Sequence, residues 1–174
     1  MKVTVTVSVA LFIAAVVFFV YRMNLPPTDS SLIANFYAHR AAYERLKLYL
    51  QADDQLNRLA SWGVQTKTSP SGFMPPLADF SRERFDEYWL LLKEVHGVDA
   101  SRSHGPHSEL CVGMWGAGFA GSTEHINVCW LEDMVPGKQV LSIDNVKRDA
   151  DSSTGQRQFF YRKIEGNWYL ERDG

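Results

Sequence analysis

The 174-residue chain has only two cysteines, Cys111 and Cys129, and no surplus of either charge: its formal net charge is −2. Two cysteines allow a single disulfide within the chain and exclude a small fold stapled by several bridges. The missing basic surplus removes the electrostatic footprint of a nucleic-acid binder. No internal repeat is present, which excludes solenoids and propellers. Lipid attachment near the N-terminus is excluded as well, because no cysteine lies there. A further absence concerns the glycines at 116, 118 and 121, which satisfy G-x-G-x-x-G. A dinucleotide site needs a helix directly after the third glycine, whose N-terminus receives the pyrophosphate. The third glycine leads instead into "STEHINVCWL", where apolar and polar residues alternate as in a strand, so no nucleotide is expected.

What the chain does have is an uncharged run at residues 3–21, "VTVTVSVALFIAAVVFFVY", between Lys2 and Arg22. As a helix it spans roughly 28 Å, close to the apolar thickness of a bilayer. No small-residue cleavage site comes after it, so residues 1–22 read as a retained single-pass signal anchor. The basic groups favour an N-terminus inside the cytoplasm. The expected arrangement is an anchor in the cytoplasmic (inner) membrane, a linker at 23–30 stiffened by Pro26 and Pro27, and one extracytoplasmic domain at 31–174.

Within that domain Leu32, Phe36, His39, Tyr43, Leu46 and Leu50 form a helical stripe, capped by Asp29, Ser30 or Ser31. Residues 53–63 read as a prolongation of this helix or a short second one, stopped by Gly63. Residues 64–80 read as an irregular connection. Ser81 caps a further helix carrying Phe85, Tyr88, Trp89, Leu92 and Val95, which Gly97 ends. Beyond it the period becomes two: Leu110, Val112 and Met114, then Ile126, Val128 and Trp130, then a shorter run at 140–143. An aromatic hairpin around Glu165 and Gly166 closes the chain and would place Phe159, Tyr161, Trp168 and Leu170 on one face. The pattern predicts an α+β fold, with two or three helices on an antiparallel sheet of four to six strands.

A hairpin centred near Ala120 sets Leu110 opposite Trp130 and Val112 opposite Val128, so the apolar faces coincide. The same register sets Cys111 opposite Cys129, close enough for a disulfide. Outside the cytoplasm this pair is expected to be a structural cross-strand bridge and not a redox switch.

Candidate chemistry is sparse. A Cys129–His125 dyad fails, since four residues of strand hold the two roughly 13 Å apart. His104, His107 and Glu109 flank a Gly-Pro turn at a spacing that suits metal ligation. His39 sits in an apolar stripe, where a ring nitrogen needs a partner, and with Arg40 and Glu44 it makes a candidate binding cluster. Arg40 and Glu44 are spaced to form a solvated pair.

The stretches "LIANFYAHRAAYERL" and "FYRKIEGNWYL", with His39, Arg40, Glu44, Tyr161, Arg162, Trp168 and Tyr169 as their sharpest positions, resemble a group of small bacterial envelope proteins carried on a lipoprotein or signal-anchor N-terminus. The likeness spans most of 29–172. It implies an extracytoplasmic, membrane-tethered domain and carries no catalytic residue or cofactor across. The expected function is therefore a tethered interaction module for another envelope protein. An envelope hydrolase or metal enzyme using His39 or the His104, His107 and Glu109 loop is the alternative.

Overall fold

The computed structural model describes residues 25–104, 108–119, 122–133, 135–144, 146 and 158–173. The expected anchor and the start of the linker lie outside these residues. Among those described, no helix is long and apolar enough to cross a membrane.

Among the described residues, three helices and eight strands form one α+β unit. They are α1 (Asp29–Ala38), α2 (Arg40–Ala52), β1 (Leu56–Ala60), β2 (Gly63–Thr66), α3 (Arg82–Glu94), β3 (Asp99–His104), β4 (Ser108–Phe119), β5 (Ser122–Leu131), β6 (Lys138–Gln139), β7 (Phe159–Glu165) and β8 (Trp168–Asp173). The sheet order is β2-β1-β3-β4-β5-β8-β7-β6. Every neighbouring pair is antiparallel except β6 and β7, which run parallel, so the sheet is mixed. Eight strands, one pair of them parallel, correct the expected antiparallel sheet of four to six.

Two of the extra strands come from the segment read as helix or loop. Leu56 and Leu59 are three residues apart, a helical spacing, and both are buried. A regular strand would send them to opposite faces. A bulge between Leu56 and Arg58 resets the alternation and brings both leucines to the core. Gly63 starts β2 instead of stopping a helix. Its φ is 139°, and a Cβ there would lie 2.5 Å from the Phe73 carbonyl oxygen. Only glycine fits that approach.

The first stripe also differs from one continuous helix. Thr28, not the three residues after it, caps α1 by accepting from the Ser31 amide at 3.3 Å. His39 breaks the helix at φ −119°, ψ 26°, and its carbonyl receives the amides of Ala42 and Tyr43. The break re-phases the stripe, so Phe36, Tyr43, Leu46 and Leu50 are buried while His39 turns aside. In α3, Ser81 caps as expected, accepting from the Arg84 amide at 3.1 Å.

All three helices cover one face of the sheet. Phe36, Tyr43, Leu46, Tyr88 and Leu92 pack there against Leu59, Ala100, Val112, Val128 and Leu170 in a single apolar core. The segment at 140–144 is fixed from the helix side. Asp29 is buried, pairs with Arg162 and accepts from the Ile143 amide at 3.1 Å, while its own amide donates to Asp144 Oδ1 at 2.7 Å.

Candidate functional site on the outer face of the sheet

The face turned away from the helices is not a plain solvated surface. Strand alternation places Glu109, Cys111 and Gly113 of β4, Asn127, Cys129 and Leu131 of β5, Tyr169, Glu171 and Asp173 of β8, and Tyr161 of β7 on this side. Cys111, Cys129, Leu131 and Tyr161 form a second, small buried cluster, with Val135 and Tyr169 against it.

The β4–β5 register is the expected one, with Leu110 opposite Trp130, Cys111 opposite Cys129 and Val112 opposite Val128. Cys111 and Cys129 are joined by a disulfide, with Cα atoms 4.1 Å apart. A bulge between Gly113 and Trp115 then shifts the pairing by one residue, which closes the hairpin on Phe119 opposite Ser122. Gly113 leaves room on this face for the carboxylate of Asp99, the residue that pairs with Arg58, which a Cβ there would push aside.

Beside the bridge lies a buried acid. Glu171 is 4% exposed, and one of its carboxylate oxygens is within 4.8 Å of both sulfurs. Its two hydrogen-bond partners are neutral: Asn127 Nδ2 donates to Oε1 at 2.7 Å, and the Tyr161 hydroxyl lies 2.7 Å from Oε2. Tyr161 reaches across β8 and β5, and the same hydroxyl lies 2.9 Å from Oε1 of Glu109. A phenol has one proton to donate. It can serve one of the two carboxylates, and the other contact is a hydrogen bond only if that acid is itself protonated. Three oxygens in this row therefore hold two protons when all the contacts are satisfied.

The electrostatics favour a proton on Glu171 below neutral pH. Burial pushes the Glu171 carboxyl from 4.5 up to about 7; the nearby charges of Glu109 and Asp173 add to this, and the hydrogen bonds from Tyr161 and Asn127 oppose it. Burial, followed by the negative charges of Glu171 and Glu109, pushes the Tyr161 phenol far upward, so it stays protonated. Among the described residues, the two side chains that hydrogen-bond to Glu171, Tyr161 and Asn127, are both uncharged.

Cys111, Cys129 and Glu171 are also the one group of potential metal ligands that converges among the described residues. Sulfurs bonded to each other are not thiolate ligands, so in this state the trio offers a single good donor.

The residues singled out from the sequence are dispersed. His39 is half-buried, with its ring edge-on to that of His96 at 5.8 Å. Arg40 pairs with Glu165 at 2.8 Å, not with Glu44 as expected. Glu44 instead binds Lys47 and accepts from Trp168 Nε1 at 2.9 Å, because the break at His39 turns Arg40 toward the β7–β8 turn. The three thus face three separate neighbours. Of the metal candidates, Glu109 belongs to the Tyr161 row, while His107 and the side chain of His104 lie outside the described residues.

The aromatics of the last hairpin do not share a face. Tyr161 pairs with Glu171 and Arg162 with Leu170, so Tyr161 joins the outer face while Trp168 and Leu170 join the core. Glu171 and Asn127 are site residues that the sequence patterns do not single out, and Tyr161 stands out there only as an aromatic of the last hairpin. The available signal is the alternation in "WYLERD", which separates Glu171 from the core positions without indicating that its face is covered. Comparison of the chain with protein-family descriptions, with curated proteins and with solved structures finds no match.

Proposed function

We propose that the protein is a membrane-tethered, extracytoplasmic interaction module whose partner is another envelope protein. The uncharged run at residues 3–21 supports the tether, and the disulfide fits an oxidising compartment. The observation that carries the docking role is an apolar patch where the sheet ends at β2. Trp62, Phe73 and Met74 are 45%, 57% and 47% exposed, and the Trp62 ring lies against Gly72, the residue that precedes Phe73. Large exposed apolar side chains scattered singly need no explanation, but an aromatic and thioether group held together on a fixed loop is the composition of an interface core. The loop is fixed because Phe73 exchanges two backbone hydrogen bonds of 3.0 Å with Val64.

The test is site-specific photo-crosslinking in cells with the full chain, placing the photoreactive residue at Phe73 or, as control, at Leu90 on α3. A discrete protein adduct from position 73, missing from position 90 and lost on Trp62→Ser with Met74→Ser, is the expected result. No adduct at position 73 overturns the docking role. Topology is checked by a reporter fused after Gly174, which is expected to report the outer side of the cytoplasmic membrane; activity of a cytoplasm-only reporter there overturns the orientation.

A further inference from the structure

The sequence leads to the expectation of a purely structural bridge, but such a bridge on a sheet face needs no acid beside it, and an exchange role for the pair departs from that expectation. Burying a carboxyl whose hydrogen-bond partners are uncharged and whose charged neighbours Glu109 and Asp173 are also acidic costs free energy that an apolar residue at 171 would not. Glu171 nonetheless sits within 4.8 Å of both sulfurs, and its row of hydrogen bonds leads from the buried bridge to the half-buried Glu109. We propose that Cys111 and Cys129 form a thiol–disulfide exchange site in which Glu171 gives a proton to the departing sulfur and Tyr161 and Glu109 return it from solvent.

The co-reactant is an external dithiol. Its thiolate attacks Sγ of Cys111, because Cys111 is 7% exposed and Cys129 fully buried. A new S–S bond forms to Cys111 while the Cys111–Cys129 bond breaks, and its electron pair leaves on Cys129. A thiolate released in a buried site is poorly solvated, and protonation by Glu171 removes that charge. The second thiol of the co-reactant then attacks the mixed disulfide. It forms the co-reactant's own disulfide, and its proton passes to the departing Cys111. Two electrons move from the external dithiol to the protein, and Glu171 regains a proton from water through the Tyr161 hydroxyl and Glu109. Among the described residues, the charged and titratable groups that act on Glu171 are Tyr161 from β7, Glu109 from β4 and Asp173 from β8 itself, while β5 contributes the neutral Asn127. The site lies on β4 and β5, away from the Trp62 patch at the sheet end, and does not depend on the docking role.

The experiment monitors reduction of the bridge in the folded, detergent-solubilised full chain by dithiothreitol, trapping free thiols by alkylation from pH 5.5 to 9. Rates are divided by the dithiothreitol thiolate concentration, since only the thiolate attacks. In the wild type the corrected rate is expected to fall by about tenfold or more as pH rises through about 7, where Glu171 loses its proton. Glu171→Gln is expected to lack this break and to be about tenfold slower at pH 6. Tyr161→Phe removes a hydrogen bond that holds the Glu171 pKa down, so the break is expected at higher pH. A purely structural role for Glu171 would move neither profile. Coincident corrected profiles for wild type and Glu171→Gln overturn the proposal. So does a break unmoved in Tyr161→Phe, or a bridge that opens only at the rate of global unfolding measured by amide exchange.

Discussion

Glu171→Gln also tests the burial of the acid independently of any exchange chemistry. In the folded protein the Glu171 carboxyl is raised from 4.5 to about 7, burial being the largest cause. Between these values the folded state holds a proton that the unfolded chain has released, so stability falls as pH rises through this window and is flat on either side. The displacement corresponds to about 3 kcal/mol. Glutamine is close to an isostere of the protonated acid. Its carbonyl can keep the Asn127 hydrogen bond, and its amide can donate to the Tyr161 oxygen, which frees the phenol proton for Glu109. The variant should therefore match the wild type near pH 4.5 and exceed it by about 3 kcal/mol at pH 8. For a chain of this length that difference raises the thermal midpoint by about 6–12 °C. The assay is thermal and urea unfolding with the bridge intact, from pH 4.5 to 9. Parallel stability curves for the two proteins, or a variant less stable at pH 8, would refute the reading of Glu171 as a buried acid that holds its proton.

Replacing Cys111 and Cys129 together by serine should lower stability by about 3 kcal/mol, the chain entropy of a loop of this size, while far-UV circular dichroism shows the sheet retained; an unchanged urea midpoint would count against a stabilising bridge. Asp29→Ala leaves Arg162 without its buried partner and frees the Ile143 amide, at a cost of about 3 kcal/mol. Limited proteolysis should then cut near Leu141, which is almost fully exposed, faster than in the wild type. Gly63→Ala meets the Phe73 carbonyl in a backbone conformation that suits glycine, so it should cost about 2 kcal/mol or more and accelerate cleavage in the 70s loop.

The parts of the fold that can be read from the sequence are those in which one local rule acts alone. Helix α3 has its serine cap and a clean apolar face, and both are found. The β4–β5 hairpin is readable because two independent patterns, the apolar alternation and the cysteine positions, select one register. Strand β3 is not readable: "DASRSH" has Ala100 as its only apolar side chain, and its place in the sheet is set by neighbours on both sides. Strand β1 reads as helix because its two leucines carry a helical spacing that only a bulge can convert into a strand. In each case a tertiary contact overrides the period of the segment.

The candidate site is hidden by a single residue. A turn at Glu165 and Gly166 would pair Tyr161 with Leu170 and send the phenol into the core beneath the helices. The turn instead falls on Gly166 and Asn167, with a bulge between Lys163 and Glu165, and the pairing becomes Tyr161 with Glu171. A one-residue slip exchanges the two faces of a strand. It takes a large aromatic from a core already supplied with Phe36, Tyr43 and Trp168 and places it over the outer face, where it covers Glu171 and the disulfide. Without Tyr161 on that side, Glu171 would be an ordinary strand carboxylate facing water. With it, the acid is buried, raised toward neutrality and held beside two sulfurs, so the chemistry of the face derives from the register of its last hairpin.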